Sequence, residues 1–440
     1  MSTTAIRLTT PTLAVLALAV GLSAGTAHAA VATCGTATAP AGFTVQTCIT
    51  APASGATVSG AVPVTATVIV TGPAPPVDDI QYTLDGAPIL ADFQAPYAFT
   101  LHTYLYGSGT HTLGASTQFS GGYNAPAVSV TLSFGPASAP AGPPAFTPKG
   151  TAPAAGQPTI VAAGGDGATG LAAQQQVANL IASWNPNMFL YLGDVYNGGT
   201  SEEFLNWYGE NGSLFNRFFP ITDPTPGDHE YSVDRQAQPY LKYFGNVPHY
   251  YSFNQNGWHV ISLDDNGEFG QNSTTAPMYT WLANDLDANT TPCTLVEWHR
   301  PVYSVDPGVS ATDFAMYWQL LTAHHVPLVV AGSSHNYQRW RPLDGNGNVS
   351  PTGTTEIISG TTGQWISPLG GTDPRLAAGF GTTATGWGAT ELTLNPAGAT
   401  YRFENISGVT EDYGSLPCTG ASDATAPNAP TNVAATAVSG

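Results

Sequence analysis

Residues 188–194 have the sequence MFLYLGD, an apolar run that stops at Gly193 and Asp194. A short apolar run that ends at a turn signal is typical of a strand buried on both faces. An ionisable side chain at the end of such a strand is costly unless hydrogen bonds or a metal ion satisfy it. The stretch therefore predicts a buried strand with Asp194 as a candidate metal ligand at its C-terminal end.

Four other apolar runs end in the same way. TIVAAGG, FFPITDPTPG, TLVEW and PLVVAGSS lead, in that order, into Asp166, into Asp228-His229-Glu230, into His299 and into His335. In open α/β sheets, ligands bind outside the C-terminal ends of the strands. Alone, each residue would more often be a helix cap, a turn former or a core histidine. The ordered set favours one shared site, and mixed Asp and His ligands suit Zn, Mn or Fe.

Helical periodicity separates these apolar runs. One predicted helix carries Val177, Leu180, Ile181 and Trp184 on a single face and ends at Asn185-Pro186. Alternating strands and helices over residues 158–418 predict an α/β domain.

Residues 34–135 have a different pattern, in which apolar and polar residues alternate. Val64, Ala66, Val68 and Val70 show this period of two, and Asp85-Gly86 is a hairpin-turn signal. The stretches ITAPASGATVSGAVPVTATV, IQYTLDGAPI and GSGTHTLGAS resemble bacterial immunoglobulin-like modules, which implies an all-β sandwich. The Pro/Ala/Gly-rich residues 136–157 predict an extended linker.

Both ends of the chain predict segments outside these domains. Residues 1–29 combine one early charge, Arg7, with an apolar core and the small-residue site AHA, which predicts a signal peptide and a secreted, extracellular protein. Later apolar runs are too short for a membrane span. Residues 419–440 are predicted to be a linker followed by a truncated fibronectin type III start, which DATAPNAPTNVAATAVSG resembles.

The chain contains four cysteines, an even number that favours disulfides in an oxidising compartment. Three connectivities are possible. We favour Cys34–Cys48 and Cys293–Cys418, because each pair then lies within one predicted domain. A Cys/His spacing typical of zinc sites is absent from the sequence.

The α/β region resembles the calcineurin-like metallophosphoesterase superfamily, and within it the purple-acid-phosphatase-like secreted bacterial members. The matching blocks are GGDGATG, LGDVYNGGT, PGDHEY, VEWHRPVYS and GSSHNYQRW, and the resemblance covers residues 158–405. It implies an αββα sandwich with two divalent or trivalent metal ions, Fe, Zn or Mn, at the strand ends. Carried over by position, it also implies a ligand set in which Asp166 and His335 bind the first metal, Asp228 and His299 bind the second, and Asp194 bridges both.

The same resemblance implies roles for neighbouring residues. His229 would protonate the leaving group, and Glu230 would orient the His229 imidazole by a hydrogen bond. Arg300 has two interpretations, a substrate contact or a solvated surface arginine. Glu297 also has two, an approach to the second metal or a surface-edge or Arg-paired glutamate.

Three positions depart from the pattern of the family. Ser333 stands where the second metal usually has a histidine, so that metal site is expected to be weakened. Asp228 replaces the usual asparagine and supplies a negative oxygen donor. Tyr196 is a candidate metal ligand, although it comes two residues after Asp194 instead of the family's three, a shift that reverses side-chain direction along an extended stretch.

These features predict a secreted metal-dependent phosphoesterase that hydrolyses phosphomonoesters or phosphodiesters by attack of a metal-bound hydroxide. The alternative is a catalytically degenerate domain that serves as an extracellular binding module. Under either hypothesis, the immunoglobulin-like module is a candidate for contact with cell-wall or polysaccharide material. The net charge of −19 disfavours nucleic-acid partners and therefore a nuclease.

Overall fold

The computed structural model describes residues 32–267, 272–382 and 386–418. Residues 1–29 and 419–440, for which a signal peptide and a truncated tail are predicted, lie outside the described residues. Within the described part of the chain, no helix combines the length and the apolar character needed to cross a membrane.

The N-terminal region is built from strands alone, apart from one short 3-10 turn. The strands are β1 (Thr33–Thr38), β2 (Thr44–Ala51), β3 (Thr57–Val58), β4 (Ala61–Thr71), β5 (Val77–Leu84), β6 (Ala87–Asp92), β7 (Tyr97–His102), β8 (Gly109–Phe119), β9 (Tyr123–Asn124) and β10 (Val128–Phe134). They form a sheet of order β1-β2-β4-β7 and a second of order β3-β10-β8-β5-β6, with β9 paired to β8. Alternate side chains such as Val64, Ile80 and Val130 are buried between the sheets, so the predicted sandwich is confirmed.

Residues 136–157, for which a linker is predicted, have almost no regular secondary structure. They nevertheless pack against the following region. The ring of Phe146 lies 4.9 Å from that of Tyr251, and the amide of Phe146 donates to the Gly245 carbonyl over 2.7 Å. The segment is therefore extended and in contact with the protein surface.

The second region mixes strands and helices. Its strands are β11 (Thr159–Gly164), β12 (Met188–Tyr191), β13 (Thr222–Pro224), β14 (Tyr250–Gln255), β15 (Trp258–Leu263), β16 (Cys293–Glu297), β17 (Leu328–Ala331), β18 (Tyr337–Trp340), β19 (Thr355–Ser359), β20 (Leu376–Phe380), β21 (Gly388–Asn395), β22 (Gly398–Asn405) and β23 (Thr410–Pro417). Its α-helices are α1 (Ala172–Ser183), α2 (Ser201–Glu203), α3 (Gln238–Tyr243), α4 (Pro277–Ala288) and α5 (Ala315–Ala323).

Two sheets form the centre of this second region. Their strand orders are β13-β12-β11-β21-β22-β23 and β14-β15-β16-β17-β19-β18-β20. An apolar core that includes Val161, Leu190 and Leu295 lies between them. Helix α1 packs on the outer face of the first sheet, and helices α4 and α5 pack on the second. This is the predicted αββα sandwich.

Two disulfides join the four cysteines in the favoured pairing, Cys34–Cys48 and Cys293–Cys418. The first links the neighbouring strands β1 and β2. The second connects the start of β16 to the residue after β23 and therefore ties the two central sheets together.

The immunoglobulin-like region docks against helix α2 and the turn after it. His102 Nδ1 lies 2.7 Å from Glu202 Oε2, and Trp207 Nε1 donates to the Ala91 carbonyl over 3.0 Å. Asn206 adds bonds to both the amide and the carbonyl of Thr100. These bonds are shielded from water, because His102 and Glu202 are each about 1 % exposed.

Candidate metal centre

The loops that follow neighbouring strands carry the candidate ligands. Asp166, Asp194 and Asp228 come directly after the parallel strands β11, β12 and β13. His299 and His335 come after the parallel strands β16 and β17 of the facing sheet. Because parallel strands end at the same edge of a sheet, each sheet presents its ligands along one edge.

Hydrogen bonds between the loops bring these two edges together. The amide of Ser333, in the loop after β17, donates to Asp166 Oδ2 over 2.8 Å. The ring of His299, after β16, bonds through Nδ1 to the carbonyl of Leu192, after β12, over 2.6 Å. Within the first sheet, the amide of His229 donates to Asp194 Oδ1 over 3.1 Å. All five candidate ligands therefore belong to one cluster at the top of the sandwich.

Unusual backbone conformations accompany this cluster. Asp166, Asp194 and Ser333 have φ angles of 60°, 70° and 66°, in the left-handed region. Such conformations cost free energy and concentrate at functional sites. Aspartate tolerates them better than most residue types, which suits it to these turns.

Two groups of donor atoms are close enough to hold a cation each. The groups are Asp166, Asp194 and His299, and Asp194, Asp228 and His229, and the donor atoms within each group lie within 4.8 Å of one another. Asp194 belongs to both groups, as a bridging carboxylate would. The histidines are grouped differently from the implied ligand set, since His299 shares the group of Asp166, His229 shares that of Asp228, and His335 is in neither group.

The two candidate histidine ligands direct Nε2 toward the carboxylates. His299 Nδ1 lies 2.6 Å from the Leu192 carbonyl oxygen. Because a carbonyl oxygen can only accept a hydrogen bond, Nδ1 carries the proton, and the Nε2 lone pair is free for a metal. That Nε2 lies 3.1 Å from Asp228 Oδ1 and 3.4 Å from Asp194 Oδ2. His335 Nε2 lies 3.5 Å from Asp166 Oδ1.

Tyr196, a candidate metal ligand from the sequence, reaches the cluster despite its shifted spacing. Its hydroxyl lies 3.0 Å from Asp166 Oδ1, 3.0 Å from Asp194 Oδ2 and 2.9 Å from His335 Nε2. The reversal of side-chain direction holds only for an extended backbone, and the backbone of Asp194 is in the left-handed region. Tyr196 is therefore placed among the donors of the predicted first metal.

Glu230 does not contact the His229 imidazole, in contrast to the expected orienting bond. Its buried carboxylate accepts the amides of Asp194, Val195 and Gly227 at 3.1, 2.7 and 2.6 Å. His229 Nδ1 instead donates to the Asn197 carbonyl over 2.6 Å. Glu230 thus fixes two of the ligand loops, while Asn197 orients the imidazole.

Burial and charge shift the pKa values of this cluster strongly. Burial alone would raise the pKa of Asp194, but His299 and His229 lower it overall. Burial would lower the pKa of His299, but Asp194 raises it well above its usual value. The carboxylates of Asp166 and Asp194 are at most 2 % exposed and lie beside two imidazoles. Such a set of nitrogen and oxygen donors fits Zn, Mn or Fe ions.

The sequence of the second region matches a known enzyme family. Residues 167–337 match the calcineurin-like phosphoesterase family, and residues 46–115 match the bacterial Ig domain family. The chain contains a calcineurin-like phosphoesterase domain. The family resemblance inferred from the five sequence blocks is thereby confirmed.

Curated relatives of the phosphoesterase domain are plant purple acid phosphatases. Purple acid phosphatase 22 of Arabidopsis thaliana is 29% identical over 163 residues, which cover 36% of this chain and 36% of that protein. Purple acid phosphatase 18 of the same plant is 31% identical over 157 residues, which cover 32% of this chain and 35% of the relative. The chain therefore spans only about a third of the length of these relatives.

Solved structures that are similar to this chain include a plant phosphatase and a parasite protein. The purple acid phosphatase PPD1 from yellow lupin (Lupinus luteus) seeds is 13% identical with a TM-score of 0.48, and the match covers 85% of this chain and 72% of that one. GAP50 from the inner membrane complex of Plasmodium is 15% identical with a TM-score of 0.46, and the match covers 60% of this chain and 89% of that one.

Glu297 lies inside the sandwich of the phosphoesterase domain and belongs to neither donor group. Its side chain is fully buried, so the interpretation of Glu297 as a surface-edge glutamate does not hold. Burial raises the pKa of Glu297 well above its usual value, and Asp223 adds to this rise.

Asp265 is a residue of the phosphoesterase domain that sequence reasoning missed. Its Oδ1 accepts the His299 amide over 3.0 Å, and its Oδ2 accepts Arg300 Nε over 2.9 Å. Arg300 is thereby held over a cavity of about 350 Å³ that Asp228 also lines. The stretch SLDD at the end of β15 was a sixth apolar run ending in carboxylates, and it could have revealed Asp265.

Glu203 is a second missed residue, at the end of helix α2. Its carboxylate accepts the amides of Asn197 at 2.6 Å, Gly198 at 2.9 Å and Thr200 at 3.0 Å. It also accepts the amide of Ala91, in the immunoglobulin-like region, at 3.2 Å. TSEE at residues 200–203 is a capping-box pattern and marks Glu203 locally, although its long-range contact has no sequence signal.

Proposed function

We propose that this protein is an extracellular metal-dependent phosphoesterase that hydrolyses phosphomonoesters or phosphodiesters. The observation that best supports the proposal is the convergence of three aspartates and two histidines, each after a different strand. Asp194 is common to both donor groups. The family match and the similarity to purple acid phosphatases agree with this chemistry.

The roles of the ligand residues follow from their positions. As the family resemblance implies, Asp166, His335 and Tyr196 would hold the first metal ion, Asp228 and His299 the second, and Asp194 both. The support is that His335 Nε2 lies 3.5 Å and the Tyr196 hydroxyl 3.0 Å from Asp166 Oδ1, and that His299 Nε2 lies 3.1 Å from Asp228 Oδ1. When bound, such ions supply an activated water as nucleophile and positive charge for the phosphoryl oxygens. Arg300 offers a further cationic contact to a substrate in the cavity beside Asp228.

His229 is proposed to be the general acid. Its Nδ1 donates to the Asn197 carbonyl, so Nε2 is the atom available to a substrate. Nε2 lies 3.9 Å from Asp194 Oδ2, and the side chain remains 26 % exposed. Burial lowers the pKa of His229, but Asp194 and the Asn197 carbonyl raise it overall, which favours the protonated form that an acid needs.

The proposed extracellular location has two supports. A signal peptide is predicted for residues 1–29 and would direct export. Both disulfides are of the kind that persists in an oxidising compartment. Contact of the immunoglobulin-like region with polysaccharide stays a prediction.

An activity assay with defined metals tests the proposal. The full chain, stripped with a chelator and reloaded with Mn, Zn or Fe, should hydrolyse 4-nitrophenyl phosphate or bis(4-nitrophenyl) phosphate. Bound metal should be counted in the same samples by mass spectrometry. Stoichiometric metal binding without hydrolysis of either ester would overturn the proposal and support the degenerate binding module.

Ser333 favours the degenerate alternative, and Ser333→His tests it. Histidine is among the residue types that accept the φ of 66° at this position. An added imidazole should tighten binding of the second ion by about 10- to 100-fold, since even outer-shell partners contribute that much. Metal titration and kcat should both rise, with Ser333→Ala as the control for loss of the hydroxyl. Unchanged metal affinity would show that residue 333 does not face the second ion.

Glu203→Gln should lower kcat by about 10- to 100-fold with KM nearly unchanged. The side-chain amide of the new glutamine places its N–H group against backbone N–H groups that Glu203 now accepts. The turn that contains Asn197 is then released, and the Asn197 carbonyl no longer orients His229. Because His229 would protonate the leaving group, alkyl phosphates should lose more activity than 4-nitrophenyl phosphate. Glu202→Gln is the matched control, since Glu202 bonds His102 of the docked region and not this turn. Equal losses in the two variants would mean that the contact only stabilises domain docking.

A further inference from the structure

Trp365 is an exposed tryptophan in a protein that buries others completely. Its side chain is 55% exposed, whereas Trp258, Trp298, Trp318 and Trp340 are at most 1% exposed. A single exposed ring is common on protein surfaces, so the position of Trp365 relative to the candidate centre and to other rings decides whether it can bind a ligand.

The backbone on both sides of Trp365 is bonded to candidate metal ligands. The amide of Gln364 donates to the Asp166 carbonyl over 2.9 Å, and the amide of Ser367 donates to the His335 carbonyl over 2.8 Å. The Trp365 ring consequently lies 6.1 Å from the His335 ring, at an interplanar angle of 70°. The indole is thus fixed at the rim of the candidate centre.

The immunoglobulin-like region supplies a second ring at the same rim. Phe93, directly after β6, packs edge-on against Trp365 with ring centroids 6.2 Å apart. The flanking residues hold it in place, because the side chain of Gln94 accepts the Ala172 amide at 3.1 Å and the Ala91 amide donates to Glu203. Residues more than 270 positions apart in the chain therefore form one aromatic surface.

We propose that Trp365 and Phe93 form a subsite for a planar aromatic group carried by the phosphate ester. This proposal rests on the proposed phosphoesterase function and adds a substrate class to it. The class is phosphate esters that carry an aromatic base, such as nucleoside monophosphates. Stacking on the indole requires no charge on the ligand ring, so an uncharged ring can bind although the protein has a net charge of −19. The immunoglobulin-like region is then part of the substrate site as well as a docked domain.

Two esters that share one leaving-group type isolate the effect of the ring. Adenosine 5′-monophosphate and ribose 5-phosphate both release a primary alcohol and differ in the base. Trp365→Ala in the full chain should lower kcat/KM for the nucleotide roughly ten- to hundredfold, the usual range for a lost stacking contact. The value for ribose 5-phosphate should change by less than about twofold. Trp365→Phe should retain most of the preference, and Phe93→Ala should lower it in the same direction.

Controls separate failure of the subsite from failure of the proposed function. Tyr413→Ala removes another exposed aromatic side chain, on strand β23 at the other edge of the first sheet, and should leave the ratio of the two kcat/KM values unchanged. If both esters are hydrolysed but Trp365→Ala leaves the ratio as it was, the subsite is refuted while the function stands. If neither ester is hydrolysed, calorimetric binding of the two compounds to the native chain and to Trp365→Ala decides the subsite. Equal binding of the nucleotide to both proteins would refute it.

Discussion

Asp194→Asn is expected to lower kcat/KM for phosphate esters by at least about a thousandfold, since metal ions stabilise transition-state charge by several kcal/mol and each 1.4 kcal/mol is tenfold in rate. Asp194 is the carboxylate common to both donor groups. Its loss therefore weakens both candidate sites at once. Bound metal per chain, counted by mass spectrometry, should fall together with activity.

Asparagine is the substitution that best separates chemistry from folding at this position. The φ of 70° at Asp194 suits asparagine as well as aspartate. The amide oxygen can still accept the Tyr196 hydroxyl or the His229 amide, which the carboxylate now accepts. Loss of negative charge is then the main change, and thermal unfolding should show a folded variant.

Asp223→Asn is the matched control. Asp223 is fully buried on β13 in the same sheet, outside both donor groups. Burial raises its pKa to about 7, so the native side chain is already partly neutral near that pH. This control should keep metal content and kcat/KM within about threefold, well under the factor for 1.4 kcal/mol. An Asp194→Asn protein with activity within tenfold of native would remove Asp194 from the bridging role.

The positions of the candidate ligands could be predicted because a simple rule of sheet geometry governs them. Asp166 and Asp194 end neighbouring parallel strands, and buried apolar runs make those strand ends visible in the sequence. The register of strands within each sheet then brings the residues together without knowledge of the loops. The facing sheet adds His299 and His335 by the same rule.

The sequence is least informative in loops, where strand periodicity does not apply. Tyr196 follows a left-handed aspartate, so counting along an extended chain would give it the wrong direction. Glu230 lies in a 3-10 turn, where adjacent side chains point apart, and it bonds three backbone amides instead of its neighbour. The sequence around Tyr196 and Glu230 does not specify the backbone conformation of these turns.

Contacts between the two domains had no signal in the sequence. Phe93 and Gln94 resemble any loop residues after a strand, and Trp365 resembles one more apolar residue of the second region. Their meeting depends on how the immunoglobulin-like region docks on helix α2, which buried pairs such as His102 and Glu202 determine. Such long-range pairs depend on which surfaces of the two folded domains meet, and local sequence patterns do not specify this.

His229→Asn should lower kcat for alkyl phosphates by about 10²- to 10⁴-fold, the usual contribution of a general acid. The loss for 4-nitrophenyl phosphate should be much smaller, because a nitrophenolate leaves without a proton. His324→Asn, a partly exposed histidine that pairs with Asp287 at the surface, is the control and should change neither rate. Equal losses with both esters would show that His229 binds or positions the phosphate instead of donating a proton.

The pH dependence gives an independent test of the same role. The pKa of His229 is raised above its ordinary value of 6.5, mainly by Asp194 against the opposing effect of burial. A raised pKa keeps the imidazolium populated to higher pH, so kcat for alkyl phosphates should be high below that pKa and fall as pH rises through it. In His229→Asn this alkaline fall should disappear from the profile while a small constant rate remains, because asparagine has no proton to lose in that range. A variant that keeps the native alkaline limb would assign it to another group and leave His229 without an acid role.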